Sequence, residues 1–121
     1  MRRTSDINSI ALSNFSSLKK AALEEFIQDI SQKFHDRLSS VILYGSYARG
    51  DALPDSDVDV LVVLNSSEDL NRDWDECIDI VADIASRTGV LISVLVCLAK
   101  DYAERQHPLL INVRREGVKL I

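Results

Sequence analysis

Between Ser17 and Asp36 the apolar residues Leu23, Phe26, Ile27, Ile30 and Phe34 recur at spacings of three and four. Charged residues fill the opposite side, so the pattern predicts an amphipathic helix. The run "SSVILYG" reads as a buried strand closed by glycine. "SYARGDALPDS" holds Gly50, Pro54 and small polar residues, which predict a turn-rich connection opening with one helical turn. "DVDVLVVL" reads as a second strand. "NSSED" offers a serine cap and early acids for a helix that runs to about Arg87 and stops at Gly89. Leu70, Trp74, Cys77, Ile78, Val81 and Ile84 are expected on its apolar face. "VLISVLVCL" is a third strand. "AKDYAERQ" is a short helix stopped before Pro108. "PLLINVRREGVKLI" reads as a short helix, a break at Gly117 and a terminal edge strand "VKLI".

Residues 1–15 are rich in Ser and Asn and predict a flexible N-terminal arm. Residues 16–121 form one expected domain. The element order predicts an α/β (α+β) fold, a small mixed β-sheet with helices packed on one face.

Composition and the remaining sequence features sharpen this picture in four ways. The 121 residues are 46% hydrophobic and 27% charged, which suits one folded domain rather than a disordered chain. The formal net charge of -5 disfavours direct DNA or RNA binding, because an acidic surface repels the phosphate backbone. Cys77 and Cys97 lack metal-ligand spacing and lie among apolar residues, so they read as core thiols of a reducing compartment. No apolar run approaches a membrane span, and no signal-peptide core is visible, so the expected location is the cytoplasm.

The chemistry concentrates in "YGSYARGDALPDSDVDV", Tyr44 to Val60. Asp57 and Asp59, at i and i+2 of a strand start, leave the same face roughly 6–7 Å apart. Their repulsion costs about 2–3 kcal/mol at an effective dielectric of about 20. A divalent cation turns that repulsion into attraction, and two acids with phosphate oxygens suit Mg2+. Two solvated acids at a loop–strand junction would look the same by this criterion alone. A calcium loop does not fit, since its required Gly and Glu positions are Val60 and Ser66. Gly45 permits close backbone approach, and Ser46 adds a hydroxyl and an N–H at a helix start, which suits phosphate. A plain Gly-Ser turn is the simpler alternative, and no P-loop lysine follows. Arg49 can reach a phosphate or pair with Asp51 or Asp55.

Together, "GS", the ten residues Tyr47 to Ser56 and "DVD" resemble the hallmark of the nucleotidyltransferase superfamily that includes DNA polymerase beta and kanamycin nucleotidyltransferase. The stretch from about Ser40 to Leu64 is most similar to the minimal nucleotidyltransferase family. That resemblance implies the polymerase beta-like fold. It implies that Gly45, Ser46 and Arg49 bind the nucleotide, and that Asp57 and Asp59 are catalytic and hold Mg2+, as two ions, with ATP as donor. A hydroxyl would attack the α-phosphate and release pyrophosphate. Minimal members are typically paired with an all-helical HEPN toxin, and some transfer AMP to a tyrosine of it. The resemblance therefore implies an antitoxin of a HEPN pair.

One departure stands out. Active members usually carry a third acid on the next strand, where this chain has Ser93 in "LISVLVCL". A serine hydroxyl neither acts as a base at neutral pH nor replaces a carboxylate's charge. Asp101 lies beyond that strand. Three functions follow: a protein adenylyltransferase, a nucleotide-binding antitoxin that acts by contact, and an antibiotic-type small-molecule transferase. The short chain, with little surface beyond the nucleotide site, counts against the last and leaves the acceptor to a partner.

Overall fold

A computed structural model describes residues 7, 8, 12, 13 and 15–121. Helix α1 spans Ser17–Phe34, and the Ser16 hydroxyl caps it by accepting from the Lys19 N–H at 3.2 Å. It buries Ala22, Leu23, Phe26, Ile27, Ile30 and Phe34, one stripe at helical spacing. A 3-10 turn over His35–Arg37 leads into strand β1, Leu38–Tyr44. The short helix α2, Ser46–Arg49, opens the connection to strand β2, Val58–Leu64. Helix α3, Leu70–Thr88, leads to strand β3, Ile92–Leu98. Helices α4, Ala99–Glu104, and α5, Pro108–Glu116, precede the two-residue strand β4, Val118–Lys119.

The sheet order is β3-β2-β1-β4. β1 runs antiparallel to both β2 and β4, while β2 and β3 are parallel, so the sheet is mixed as expected. Parallel pairing needs a long crossover, and α3 supplies it. Strand alternation sorts the core into two layers. Val41, Leu43, Val60, Val62 and Val94 face α1 and α3. Ile42, Leu61, Val63 and Cys97 face Leu110 and Val113 of α5, with Tyr102 of α4 beside them. The two long helices thus share one face, and the two short C-terminal helices cover the other, which the sequence reading did not foresee.

Three local expectations are corrected. The cap of α3 is Asp69, whose carboxylate accepts from the Arg72 N–H at 3.2 Å, and not a serine. Ser67 instead donates to Asp73. Trp74 and Ile78 are 38% and 42% exposed; the buried stripe of α3 runs through Asp73, Cys77 and Ile84. Trp74 lies beside β3, an outer strand of the sheet, and its indole N–H donates to the Val94 carbonyl at 2.9 Å. An amphipathic ring suits that half-wet place. The last strand is shorter than "VKLI", although Leu120 is fully buried and its N–H donates to the Val41 carbonyl at 2.8 Å.

Both cysteines are buried free thiols, and burial pushes Cys77 up to about 12 and Cys97 to about 11. Residues 1–6, 9–11 and 14 of the expected arm lie outside the described residues. Of the remainder, Leu12 is buried in the core, the Asn8 N–H donates to the Leu120 carbonyl at 2.7 Å, and the Phe15 ring stands edge-on to Tyr47.

Candidate functional site

The antiparallel register pairs Tyr44, the last residue of β1, with Asp59 near the start of β2. The chain leaves β1 through Gly45, which holds φ at +76°, a conformation that favours glycine. A Cβ built there would run into the Oδ2 of Asp59 and sit 3.1 Å from its Cγ. The backbone of the Gly-Ser turn therefore lies directly against the second aspartate. Asp57, just before β2, is exposed, whereas Asp59 is half-buried. Burial raises the Asp59 carboxyl above its ordinary value, the Asp57 charge adds to the rise, and Arg49 opposes it. Burial and the charge of Asp59 push the Tyr44 phenol up to about 12, so it stays neutral at ordinary pH.

Arg49 is pulled two ways. Its Nε donates to the Asp51 carboxylate at 3.3 Å, and its Nη1 donates to Glu116 Oε1, also at 3.3 Å. Of the pairings the sequence left open, Asp51 is the one formed. Glu116, the last residue of α5, was not foreseen. It also accepts from the Gly45 N–H at 3.4 Å. The available signal was an acid closing a helix just before a glycine and an edge strand.

The parallel register pairs Asp59 with Ser93, which is exposed. Tyr44, Asp59 and Ser93 thus form one row across three strands, with neighbouring strands about 4.8 Å apart. Ser93 does stand where a third acid would share the face of the pair. Asp101 does not: its charge acts on the Cys97 thiol, and Cys97 lies four residues, about 13 Å, along β3 from Ser93.

The loop that delivers Asp57 is held from α1. Lys19 Nζ donates to the Tyr47 hydroxyl and, at 2.6 Å, to the Pro54 carbonyl, and it lies 5.1 Å from the centre of the Tyr47 ring. Within the loop, the Leu53 N–H donates to Ser56 Oγ and the Ser56 N–H to the Leu53 carbonyl, closing a turn.

Among the described residues, no group of three or more His, Cys, Asp or Glu is placed to hold a metal ion unaided. Two carboxylates are nevertheless a suitable protein share for Mg2+, which keeps waters and takes substrate phosphates as its other ligands. The donor set fits a hard cation that arrives with a phosphorylated ligand. No helix among the described residues is long and apolar enough to cross a membrane.

Comparison with known proteins agrees with this geometry. The model of the nucleotidyltransferase domain family matches residues 23–112, which include both the Gly-Ser turn and the aspartate pair. A protein of Methanocaldococcus jannaschii named "Putative protein adenylyltransferase MJ1305" is 39% identical over 101 residues, covering 82% of this chain and 68% of its own. Two solved structures share the fold. A toxin-antitoxin with AMP-PNP superposes with a TM-score of 0.56 at 20% identity, over 79% of this chain and 70% of its own. A mutant of the toxin-antitoxin MntA-HpeT does so with a TM-score of 0.50 at 20% identity, over 78% and 68%. With the family's turn and aspartate pair side by side and its model spanning both, this chain belongs to the nucleotidyltransferase domain family.

Proposed function

We propose that this protein is a minimal nucleotidyltransferase, one domain over residues 16–121, that transfers AMP from ATP to a hydroxyl of a HEPN-type helical partner in the cytoplasm. It acts as the antitoxin of that pair. The observation that carries this reading is the Gly45 backbone lying against the Asp59 carboxylate, which sets phosphate donors beside a metal-type pair. The name carried by the M. jannaschii relative and the toxin-antitoxin neighbours support the acceptor class.

In this reading the Gly45 and Ser46 turn and Arg49 hold the triphosphate, and Asp57 and Asp59 hold two Mg2+ ions. Bound Mg2+ polarises the α-phosphate and neutralises the charge that develops on it. Asp57 and Asp59 would hold the cation from one side of the Gly-Ser turn, which leaves the α-phosphate open to an in-line hydroxyl. The hydroxyl oxygen bonds to the α-phosphorus as the bond to the bridging oxygen breaks, its proton passes to solvent water, and pyrophosphate leaves. Lys19 keeps the loop that carries Asp57 closed on α1, which limits the positions the pair can sample.

Ser93, in register with Asp59, favours a second reading. General base catalysis contributes about 10²–10⁴-fold, and a hydroxyl does not supply it. The protein would then bind nucleotide and neutralise its partner by contact, with transfer slow. The test is transfer of labelled AMP from ATP to the co-purified partner, followed by intact mass, in wild type, the double Asp57→Asn and Asp59→Asn variant, and Ser93→Asp. Transfer that vanishes in the double variant and rises in Ser93→Asp supports the enzyme. No transfer by any form, with tight partner binding kept, supports the contact antitoxin. Transfer that survives in the double variant would sink the site assignment.

A further inference from the structure

Glu116 breaks a local rule: it is an acid at the C-terminal end of α5, where the helix dipole favours cations. Two features put it there. β4 pairs Val118 with Leu43, so the chain just before Val118 runs beside the chain just after Leu43. Gly117 allows the close approach, since a Cβ at that position would sit 2.7 Å from Cγ2 of Ile42 and collide with the Val113 carbonyl. The Glu116 side chain is 22% exposed, and it accepts from the Gly45 N–H and from Arg49. Both contacts, at 3.4 and 3.3 Å, are longer than the usual 2.7–3.2 Å, so the carboxylate is loosely held.

We infer that Glu116 is a stand-in anion: in the nucleotide-free protein it occupies the Gly45 N–H and Arg49, and a triphosphate binds by displacing it. This rests on the reading above, in which those two groups are phosphate donors. Carboxylate and phosphate draw on the same charge-assisted hydrogen bonds, and a triphosphate offers more oxygens and more charge. The exchange therefore costs every phosphate ligand that takes the turn the same free energy, which a triphosphate repays with more hydrogen bonds and more charge. Glu116 thereby lowers the affinity of the turn for any phosphate ligand, and it prevents the turn from standing open with its donors unmet.

The experiment is calorimetric titration of ATP and of AMP, each with Mg2+, into wild type, Glu116→Gln, Glu116→Ala, Arg49→Gln and the double Glu116→Gln, Arg49→Gln variant. Removing the competing charge should tighten ATP about threefold or more, and AMP, with less charge and fewer oxygens to set against the turn, by no larger a factor. The gain should shrink in the Arg49→Gln background, because part of the competition passes through that side chain. A second readout is the nitrogen–proton spectrum. In wild type, ATP should move the Gly45 amide and the Arg49 Nη–H signals; in free Glu116→Gln both should already have left their wild-type positions. Glu116→Gln is isosteric, and a thermal melt checks that it folds. Unchanged or weaker ATP binding in Glu116→Gln, with wild-type binding intact, overturns the inference and leaves the nucleotide reading standing. Absence of ATP binding by wild type overturns both.

Discussion

The two ends of the central strand pair each carry a carboxylate beside an arginine, and the two are built oppositely. At the end where β1 begins and β2 finishes, Asp73 accepts from both terminal nitrogens of Arg37, at 2.8 and 3.1 Å, and from Ser67. The Arg37 hydrogen bond draws its carboxyl below the ordinary value, with burial opposing. At the other end, Asp59 is raised by burial and by Asp57, and its nearest help is the electrostatic pull of Arg49, which is shared between Asp51 and Glu116. The satisfied carboxylate sits in a hollow of about 490 Å³ whose charged lining is mainly acidic, yet its own charge is met by Arg37. Asp59 has no comparable bidentate partner among the described residues, and the cation proposed for this pair would meet its charge. The hollow and the raised carboxyl are thus separated on this molecule, since Asp59 does not line it.

Substitution at Gly45 should break this comparison hardest. Gly45→Val places a branched side chain at positive φ and against Asp59; the backbone strain alone costs about 1–3 kcal/mol. The expected outcome is a lower urea midpoint together with loss of ATP binding in the presence of Mg2+. Normal ATP binding by a folded Gly45→Val protein would show that the turn is not the phosphate site.

Asp73→Ala tests the other end. It leaves Arg37 without its partner, and because Arg37 is 37% exposed the loss is about 1–3 kcal/mol rather than the full cost of a buried broken pair. Urea melts should register that loss while ATP affinity stays at the wild-type value. A drop in ATP affinity without unfolding would mean that the two ends are coupled.

The smallest effect is a pH dependence. The Asp73 carboxyl is lowered from 3.8 in the folded state, so its share of stability is whole above that value. It fades as pH falls through the lower folded value. Melting Asp73→Asn beside wild type between neutral pH and about pH 2 should show the two curves converging only at the acid end. A constant gap across that range would remove Asp73 as the titrating group.

Much of this was legible in the sequence because it depends on local spacing. The period of α1, the β-branched runs of the three long strands and the ten residues between Ser46 and Asp57 each report on nearby chain. Ser93 was placed near the pair by the family resemblance, and the parallel register of β2 and β3 sets it beside Asp59. What escaped depends on contacts distant in sequence. The second layer under α4 and α5 is fixed by how Leu110 and Val113 meet Ile42 and Leu61. The exposure of Trp74 follows from a bond to a carbonyl twenty residues away. Glu116 reaches Gly45 across 71 residues, and no period or motif encodes that distance.

The sheet order also assigns the parts of the site unequal resistance to opening. Asp59 stands on β2, flanked by β1 and β3, so its backbone is freed only when the whole molecule unfolds. Glu116 hangs beside β4, an outer strand with two register pairs, whose excursions do not require the core to separate. Amide exchange should grade them accordingly, with the β2 amides near the global limit and those around Gly117 trading protons sooner. Asp59 is then a fixed anvil, and the acid that shares its neighbourhood rides on a hinge.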